Sequence, residues 1–173
     1  MNELYTQILN IGKIFDVCEK AEELVNDLKA REQAVIEKVQ GLDTPTVFVF
    51  AHDLGDGTYR STGGANFVDS LILSAGGKCV FEDVGKSNIN VTPEEIIARD
   101  PEYVLTISYY TADDGQNKID FMKNSADFTD LQAVKNDNFL ALGGLVIGAS
   151  AGLQSLDGLE AIAAFLHPEA FEH

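Results

Sequence analysis

TVFVFA, at positions 46–51, contains only β-branched, aromatic and small apolar residues. A continuous apolar run of this length is typical of a strand that is buried on both faces of a parallel sheet. Apolar residues then recur with helical spacing from Ala65 to Ala75, and Gly76 and Gly77 end that segment. A buried strand followed by a helix predicts the first half of a βαβ unit.

The alternation of strand-like and helix-like segments continues towards the C-terminus. Thr92 and Pro93 suit the N-cap and the first position of a helix. Parallel strands joined by helices are connected by right-handed crossovers. We therefore predict an α/β fold, a three-layer α/β/α lobe with a mostly parallel central sheet. Its further strands are predicted at 78–81, 103–108 and 139–142, and its further helices at 92–99, 119–124, 129–134 and 156–166.

Upstream of this unit, apolar residues recur at three- and four-residue steps from Leu4 to Val39. Asp16 followed by Glu19 matches a capping box, which predicts a break near 12–16 and a second helix from Asp16 to about Gln40. At about 1.5 Å per residue, that helix would be ~40 Å long, which is longer than a small domain needs to cover its own sheet. Two interpretations stay open: the helix packs against a body outside this sequence, or it overhangs its own domain.

The composition limits the possible partners. The 173 residues include 28 acidic and 12 basic side chains, for a net charge of −16. This field repels nucleic acid and anionic lipid, so we expect no nucleic-acid partner. The acidity favours either solubility alone or, as a second interpretation, cationic ligands or a basic docking surface. Cys18 and Cys79 belong to no metal-binding pattern, and we expect both to be small buried apolar residues. A disulfide between them stays open.

Open parallel sheets bind ligands at the loops that follow the carboxyl ends of their strands. Three predicted loops qualify, at 52–64, 109–116 and 143–155. Tyr59 and Arg60 in the first loop, and Tyr109 and Tyr110 in the second, offer aromatic faces and a guanidinium to a large polar or anionic ligand. Exposed tyrosines and one arginine on loops are also compatible with no binding role.

Other chemistry has weaker support in the sequence. Gly55 and Gly57 begin a dinucleotide fingerprint, but Arg60 stands where its third glycine belongs and Asp56 would repel a pyrophosphate. The three histidines are scattered, so neither a catalytic triad nor a metal site is indicated, and we predict no enzyme. Besides ligand binding by the loop tyrosines and Arg60, two other functions stay open. One is a flavodoxin-like domain that binds a nucleotide or flavin through residues 55–64, and the other is a protein-interaction domain.

Several segments, taken in order, resemble the C-terminal half of the cluster-A substrate-binding proteins of ABC importers. That family captures iron-siderophore, haem or cobalamin-type chelates outside the cell. The resemblance covers nearly the whole chain, and the order and spacing of its segments are specific. The segments are KAEELVNDLKAREQAVIEKV (20–39), TVFVFAHD (46–53), STGGANFVDSLILSAGGKCVFED (61–83), VTPEEIIARDPEYVLTIS (91–108), FTDLQAVKNDNFLAL (128–142) and LDGLEAIAAFLHPEAF (156–171).

The resemblance implies two α/β lobes that are joined by one long helix and hold the chelate between them. Residues 1–41 would be the helical connector and 42–173 the C-terminal lobe. The N-terminal lobe, the signal peptide and any lipid anchor would lie outside this sequence. The family's partner is a membrane ABC permease, so an extracytoplasmic location is implied.

The resemblance also assigns roles to individual residues. Tyr59, Arg60, Tyr109 and Tyr110 match the family's ligand-binding loops, and no catalytic residue or resident cofactor is implied. Family members present an acidic residue to the permease just after the glycine turn, where this chain has Ala65. Asp69, one helical turn later, is the nearest substitute, so we expect it to be the docking residue.

Overall fold

The structure, a computed structural model, describes residues 2–108, 113–143 and 154–172. The strands are β1 (Thr46–Phe50), β2 (His52–Asp53), β3 (Tyr59–Gly63), β4 (Lys78–Cys79), β5 (Lys86–Val91), β6 (Tyr103–Ser108) and β7 (Phe139–Gly143). The helices are α1 (Asn2–Ile14), α2 (Cys18–Val39), α3 (Phe67–Ser74), α4 (Pro93–Arg99), α5 (Asp114–Asn124), α6 (Gln132–Lys135), α7 (Ser155–Leu166) and α8 (Pro168–Phe171).

The central sheet has the strand order β4-β1-β6-β7, and all of its pairings are parallel. Successive side chains of β1 point to opposite faces, as the period of a strand requires. Val47 and Val49 belong to one core cluster, with residues of α2, α3 and α7, whereas Phe48 and Phe50 belong to a second cluster on the other face. The prediction of a three-layer α/β lobe with a mostly parallel sheet is confirmed.

A second, antiparallel sheet has the order β2-β3-β5. It occupies much of the 52–64 segment, so the prediction of a continuous loop there is wrong. Gly55 and Gly57 have φ of 74° and 85°, and the Asp53 and Asp56 carboxylates accept hydrogen bonds from Gly55 N (2.8 Å) and Thr58 N (3.0 Å). These glycines serve the turn of a β-hairpin, so nothing here favours a phosphate-binding loop.

The turn between α1 and α2 also differs from its prediction. Asp16 has a φ of 54°, and Val17 N donates to Gly12 O at 2.8 Å. This is the left-handed ending of α1 with its characteristic six-residue hydrogen bond. The N-cap of α2 is Val17, whose side chain makes no capping bond, so the capping box expected at Asp16 is wrong.

Helix α2 has 22 residues and is therefore about 33 Å long. Its buried stripe runs along the whole helix, from Ala21 to Val39, and packs against α1 and α7. Tyr5 Oη donates to Glu32 Oε2 at 2.6 Å, and Arg31 binds Glu160 and Asp157 at 2.8–2.9 Å. The length of α2 is therefore matched to elements of the same chain over most of its course.

The two cysteines lie in different environments. Cys79 is buried, as expected, and burial raises the pKa of its thiol to about 11. Cys18 is exposed at the start of α2, so the expectation that it is buried is wrong. Both thiols are free. None of the helices in the described parts of the chain combines the length and apolar character that a membrane crossing demands.

We predict that Gly76→Ala lowers the free energy of unfolding by about 2–4 kcal/mol. Gly76 has a φ of 81°, and a Cβ there would lie 2.8 Å from His167 Nε2 and 3.0 Å from Val39 Cβ. Gly41→Ala is the matched control, because Gly41 has a φ of 82° and nothing within 4 Å of its Cβ position. We expect Gly41→Ala to cost about 1–2 kcal/mol in urea-induced unfolding. Equal losses would contradict tight packing at Gly76.

Candidate functional site

The carboxyl ends of β1, β6 and β7 lie at one edge of the central sheet, because these strands are parallel neighbours. We call the group of side chains at this edge the strand-end site. Near this edge, His52 follows β1 after one residue, Ser108 ends β6 and Asp114 begins α5. The described parts of the predicted loops therefore meet where ligands bind in open parallel sheets. Tyr109 and Tyr110, and positions 144–153 of the third loop, lie outside the described residues.

Arg60 lies in the middle of a polar row that crosses the small sheet. It pairs directly with His52 of β2 and with Asn90 of β5. Directly paired residues of antiparallel strands project from the same face, so the three side chains are neighbours. Arg60 is half-buried as a residue and forms no ion pair with the described residues, whereas Arg31 and Arg99 both bind carboxylates.

Lys118 is a second cation at this edge and is 8% exposed. Its Nζ donates to Asp114 Oδ2 at 2.9 Å and to the carbonyl oxygen of Ile107, at the end of β6. Gly115 N donates to Ser108 Oγ at 2.8 Å, and these bonds together fix the first turn of α5 to β6. The sequence analysis missed Lys118, although its i,i+4 spacing from Asp114 was a usable signal.

The charge of these groups acts on His52. Burial lowers the pKa of His52, and the positive charge of Lys118 lowers it further, followed by a smaller effect of Arg60. Asp114 opposes the effect of the two cations. The shift favours the neutral form of the imidazole. The charge of Lys118 is offset by its ion pair with Asp114, so among the described residues Arg60 supplies positive charge at this edge that no carboxylate offsets.

Tyr59 was expected on an exposed loop, but it lies in β3 and its ring is buried. The ring centroid is 5.3 Å from that of Phe50 and 5.8 Å from that of Phe128. Burial raises the pKa of its hydroxyl, and the charges of Asp53 and Asp127 add to the effect. Tyr59 thus anchors β3 in the core and places Arg60 on the opposite face, while direct contact of Tyr59 with a ligand stays a prediction.

Asp69 is 7% exposed and holds the start of α3. Its Oδ2 accepts hydrogen bonds from Gly64 N and Asn66 N, both at 2.9 Å, and its Oδ1 accepts one from the hydroxyl of Thr62. With Asn66 it completes a capping box. This carboxylate is occupied by internal partners, and its docking role stays a prediction.

The described part of the site offers hydrogen-bond donors and positive charge. Within the described residues, no group of three or more His, Cys, Asp or Glu side chains is placed to hold a metal ion. The guanidinium of Arg60 and the amide of Asn90 are donors that suit the carboxylate or other oxygen atoms of a ligand.

A family model described as "Periplasmic binding protein" matches residues 1–144, so the chain belongs to the periplasmic binding protein family. The resemblance found in the sequence is confirmed. No protein of curated function matches the chain.

Solved structures agree with this assignment. A periplasmic binding protein from Veillonella parvula DSM 2008 aligns with a TM-score of 0.83 and 25% identity, over 95% of this chain and 56% of its own. An ABC-type Fe3+-hydroxamate transport system from Saccharomonospora viridis DSM 43017 aligns with a TM-score of 0.80 and 28% identity, over 99% and 56%. IsdE from S. aureus, complexed with heme, shares the fold, with a TM-score of 0.77 and 18% identity over 94% and 63%. This chain thus spans just over half the length of the first two proteins.

We predict that Asp69→Ala lowers the free energy of unfolding by about 2–4 kcal/mol, because buried hydrogen-bond donors lose their acceptor. Glu95→Ala is the matched control. Glu95 occupies the same capping-box position in α4, accepts from Thr92 N at 2.8 Å, and is exposed. We expect the control to lose about 0.5–1 kcal/mol. Chemical denaturation of both variants measures the difference, and equal losses would show that the buried network adds nothing to an ordinary surface cap.

Proposed function

We propose that this chain is the C-terminal lobe of an extracytoplasmic substrate-binding protein of an ABC importer. It holds a metal chelate of the iron-siderophore, haem or corrinoid type at its strand ends and performs no covalent chemistry. The observation that carries the proposal is Arg60, which forms no ion pair with the described residues and lies between His52 and Asn90 beside the strand ends. The family match and the alignments with proteins described by Fe3+-hydroxamate transport and by bound heme support the ligand class.

The charge composition strengthens the argument from Arg60. Acidic residues outnumber basic ones by 28 to 12, so a carboxylate partner is statistically easy to find for an arginine in this chain. Arg31 and Arg99 have such partners at 2.7–2.8 Å. Arg60 instead faces an imidazole and an amide across the strands, which leaves its planar fork of donors available to an anionic ligand.

A second body of the same protein completes the site in this proposal. The chain spans 56% of the length of two of the solved structures that it matches. Large apolar side chains are exposed around the α1–α2 turn, with Ile14 76%, Phe15 71% and Ile11 54% exposed. Contiguous exposed apolar surface of this kind marks an interaction site. We propose that a second lobe covers it, with residues 1–41 as the connector and 42–173 as the C-terminal lobe.

The proposed permease contact uses the outer surface of this lobe. Asp69 remains our candidate docking residue, but any arginine of a permease must compete with the internal hydrogen bonds that Asp69 already accepts.

Because affinity in a two-walled cleft depends on burying the ligand on both sides, we expect the 173-residue lobe alone to bind chelates weakly.

We expect Arg60→Ala to weaken haem binding by about 1–3 kcal/mol in the longer protein that contains the proposed second lobe, because a charge-assisted hydrogen bond to a haem carboxylate is lost. Spectrophotometric titration at the haem absorption band gives the dissociation constant. Arg31→Ala is the control, since Arg31 lies on α2 and is bound to Glu160 and Asp157. An unchanged dissociation constant for Arg60→Ala would remove Arg60 from the site.

Phe15→Asp tests the second lobe. In the 173-residue chain Phe15 is 71% exposed, so we expect the substitution to change the free energy of unfolding by less than about 0.5 kcal/mol. In the longer protein a carboxylate would be buried in an apolar interface, and we expect a loss of about 2 kcal/mol or more. The rate at which a thiol reagent labels the neighbouring Cys18 is an independent measure of whether this surface is covered. Equal behaviour of Phe15→Asp in both proteins would contradict the proposal that a second lobe covers this surface.

A further inference from the structure

A groove of about 570 Å³ lies between β5 and helix α4. Its apolar lining includes Val84, Ile89 and Ala98, and its basic lining includes Arg60, Lys86 and Arg99. Volumes of this size are typical of sites for small organic molecules. The groove shares Arg60 and Asn90 with the strand-end site and otherwise consists of different residues.

The sign of the charge in this groove opposes that of the whole chain. Three of the 12 basic residues line it, against one carboxylate, Glu95, although the chain carries a net charge of −16. Glu95 Oε2 accepts a hydrogen bond from Thr92 N at 2.8 Å and is thereby directed to the helix cap. Because the Debye length is about 8 Å at physiological ionic strength, the distant acidic residues are screened and the local cations dominate.

The three cations are not equivalent. Arg99 binds both oxygens of Asp83 at 2.7 and 2.9 Å, and its guanidinium carbon lies 4.5 Å from the ring centroid of Phe81. The charge of Arg99 is therefore offset by Asp83, and its guanidinium covers the ring of Phe81, so Arg99 closes this part of the groove. Arg60 and Lys86 form no ion pair with the described residues, so their charges are available to a ligand.

The strand itself contributes further donors. β5 is an edge strand of the small sheet, next to β3 alone. An edge strand directs alternate backbone N–H and C=O groups away from the sheet, where they lack a partner strand. Asn88 and Asn90 add side-chain amides along the same stretch and are both exposed. A carboxylate held by Arg60 and Lys86 would meet hydrogen-bond donors, and the rest of the ligand would meet the apolar side chains of the lining.

We propose that the groove between β5 and α4 binds an amphiphilic organic anion, a carboxylate attached to an aromatic or short aliphatic body. The carboxylate lies at Arg60 and Lys86, and the apolar body lies against Val84 and Ala98, which are both exposed. This site shares Arg60 and Asn90 with the strand-end site, its other residues are different, and it does not depend on the function proposed above.

The test is a titration of the 15N-labelled chain with 2-naphthoate, followed by amide chemical shifts. The neutral isostere 2-naphthamide is the matched ligand control, because it keeps the ring and loses the charge. We expect saturable shifts concentrated at 86–91 and 95–99, and an affinity at least about tenfold weaker for the amide, since charge-assisted hydrogen bonds are roughly twice as strong as neutral ones.

Two variants locate the site without touching Arg60. Lys86→Gln should weaken 2-naphthoate binding about three- to tenfold, whereas Lys13→Gln, an exposed lysine on α1, should leave it unchanged. Ala98→Trp fills the groove from an exposed position on α4 and should abolish the shifts while the rest of the amide spectrum is retained. The proposal is overturned if both ligands bind equally well, if the shifts concentrate at the α1–α2 surface, or if neither variant changes the affinity.

The same variants separate this proposal from the function above. Lys86→Gln and Ala98→Trp should leave haem binding by the longer protein unchanged if the two sites are distinct. Loss of haem binding in both variants would overturn the claim of a separate site. If the longer protein binds no chelate but still binds 2-naphthoate, the proposed function is refuted and the proposal for the groove stands.

Discussion

The alternation of side chains along β1 is the constraint on which the fold depends. Val47 and Val49 need an apolar cover on one face of the sheet, and Phe48 and Phe50 need one on the other. Each of these side chains is at most 2% exposed, so neither layer of helices is dispensable. Burial of four such side chains contributes several kcal/mol, at about 1.5–3 kcal/mol each. A sheet covered on both faces can offer ligands only its strand ends and its edges. The strand-end site lies at the ends of β1, β6 and β7, whereas the β5–α4 groove lies on the small sheet.

The sequence predicted the elements whose signals are local and strong. The strand at 103–108 and the Thr92–Pro93 helix start are found where they were expected, because burial and capping act within a few residues. Asp16 shows the limit of such patterns. Its spacing to Glu19 fits a capping box, but the backbone at Asp16 is required to end α1, and a residue in the left-handed region cannot also cap α2.

The small sheet could not be predicted for a different reason. β3 has the sequence YRSTG, and β5 is exposed at most of its positions, so neither has the apolar character of a buried strand. They form because Tyr59 and Val91 pair across the ladder and enter the same core cluster. That contact joins residues 32 positions apart, which no local window reports. The same limit applies to the candidate site. Arg60 could be identified from its residue type and its place in a predicted loop, whereas its neighbours His52 and Asn90 follow only from the pairing of β3 with β2 and β5.

Arg60 forms no ion pair with the described residues, and this links stability to the binding that we propose. A carboxylate at position 52 or 90 would give Arg60 a partner across the ladder, and such cross-strand pairs stabilise a sheet by about 0.2–1 kcal/mol. The chain has histidine and asparagine there instead, despite its excess of acidic residues. The fold therefore lacks this small gain in stability, and Arg60 keeps donors that no carboxylate of the described residues occupies, near the strand ends and the β5–α4 groove. Because the net charge of −16 repels anions, an anionic ligand of the kind we propose would depend on such local positive charge.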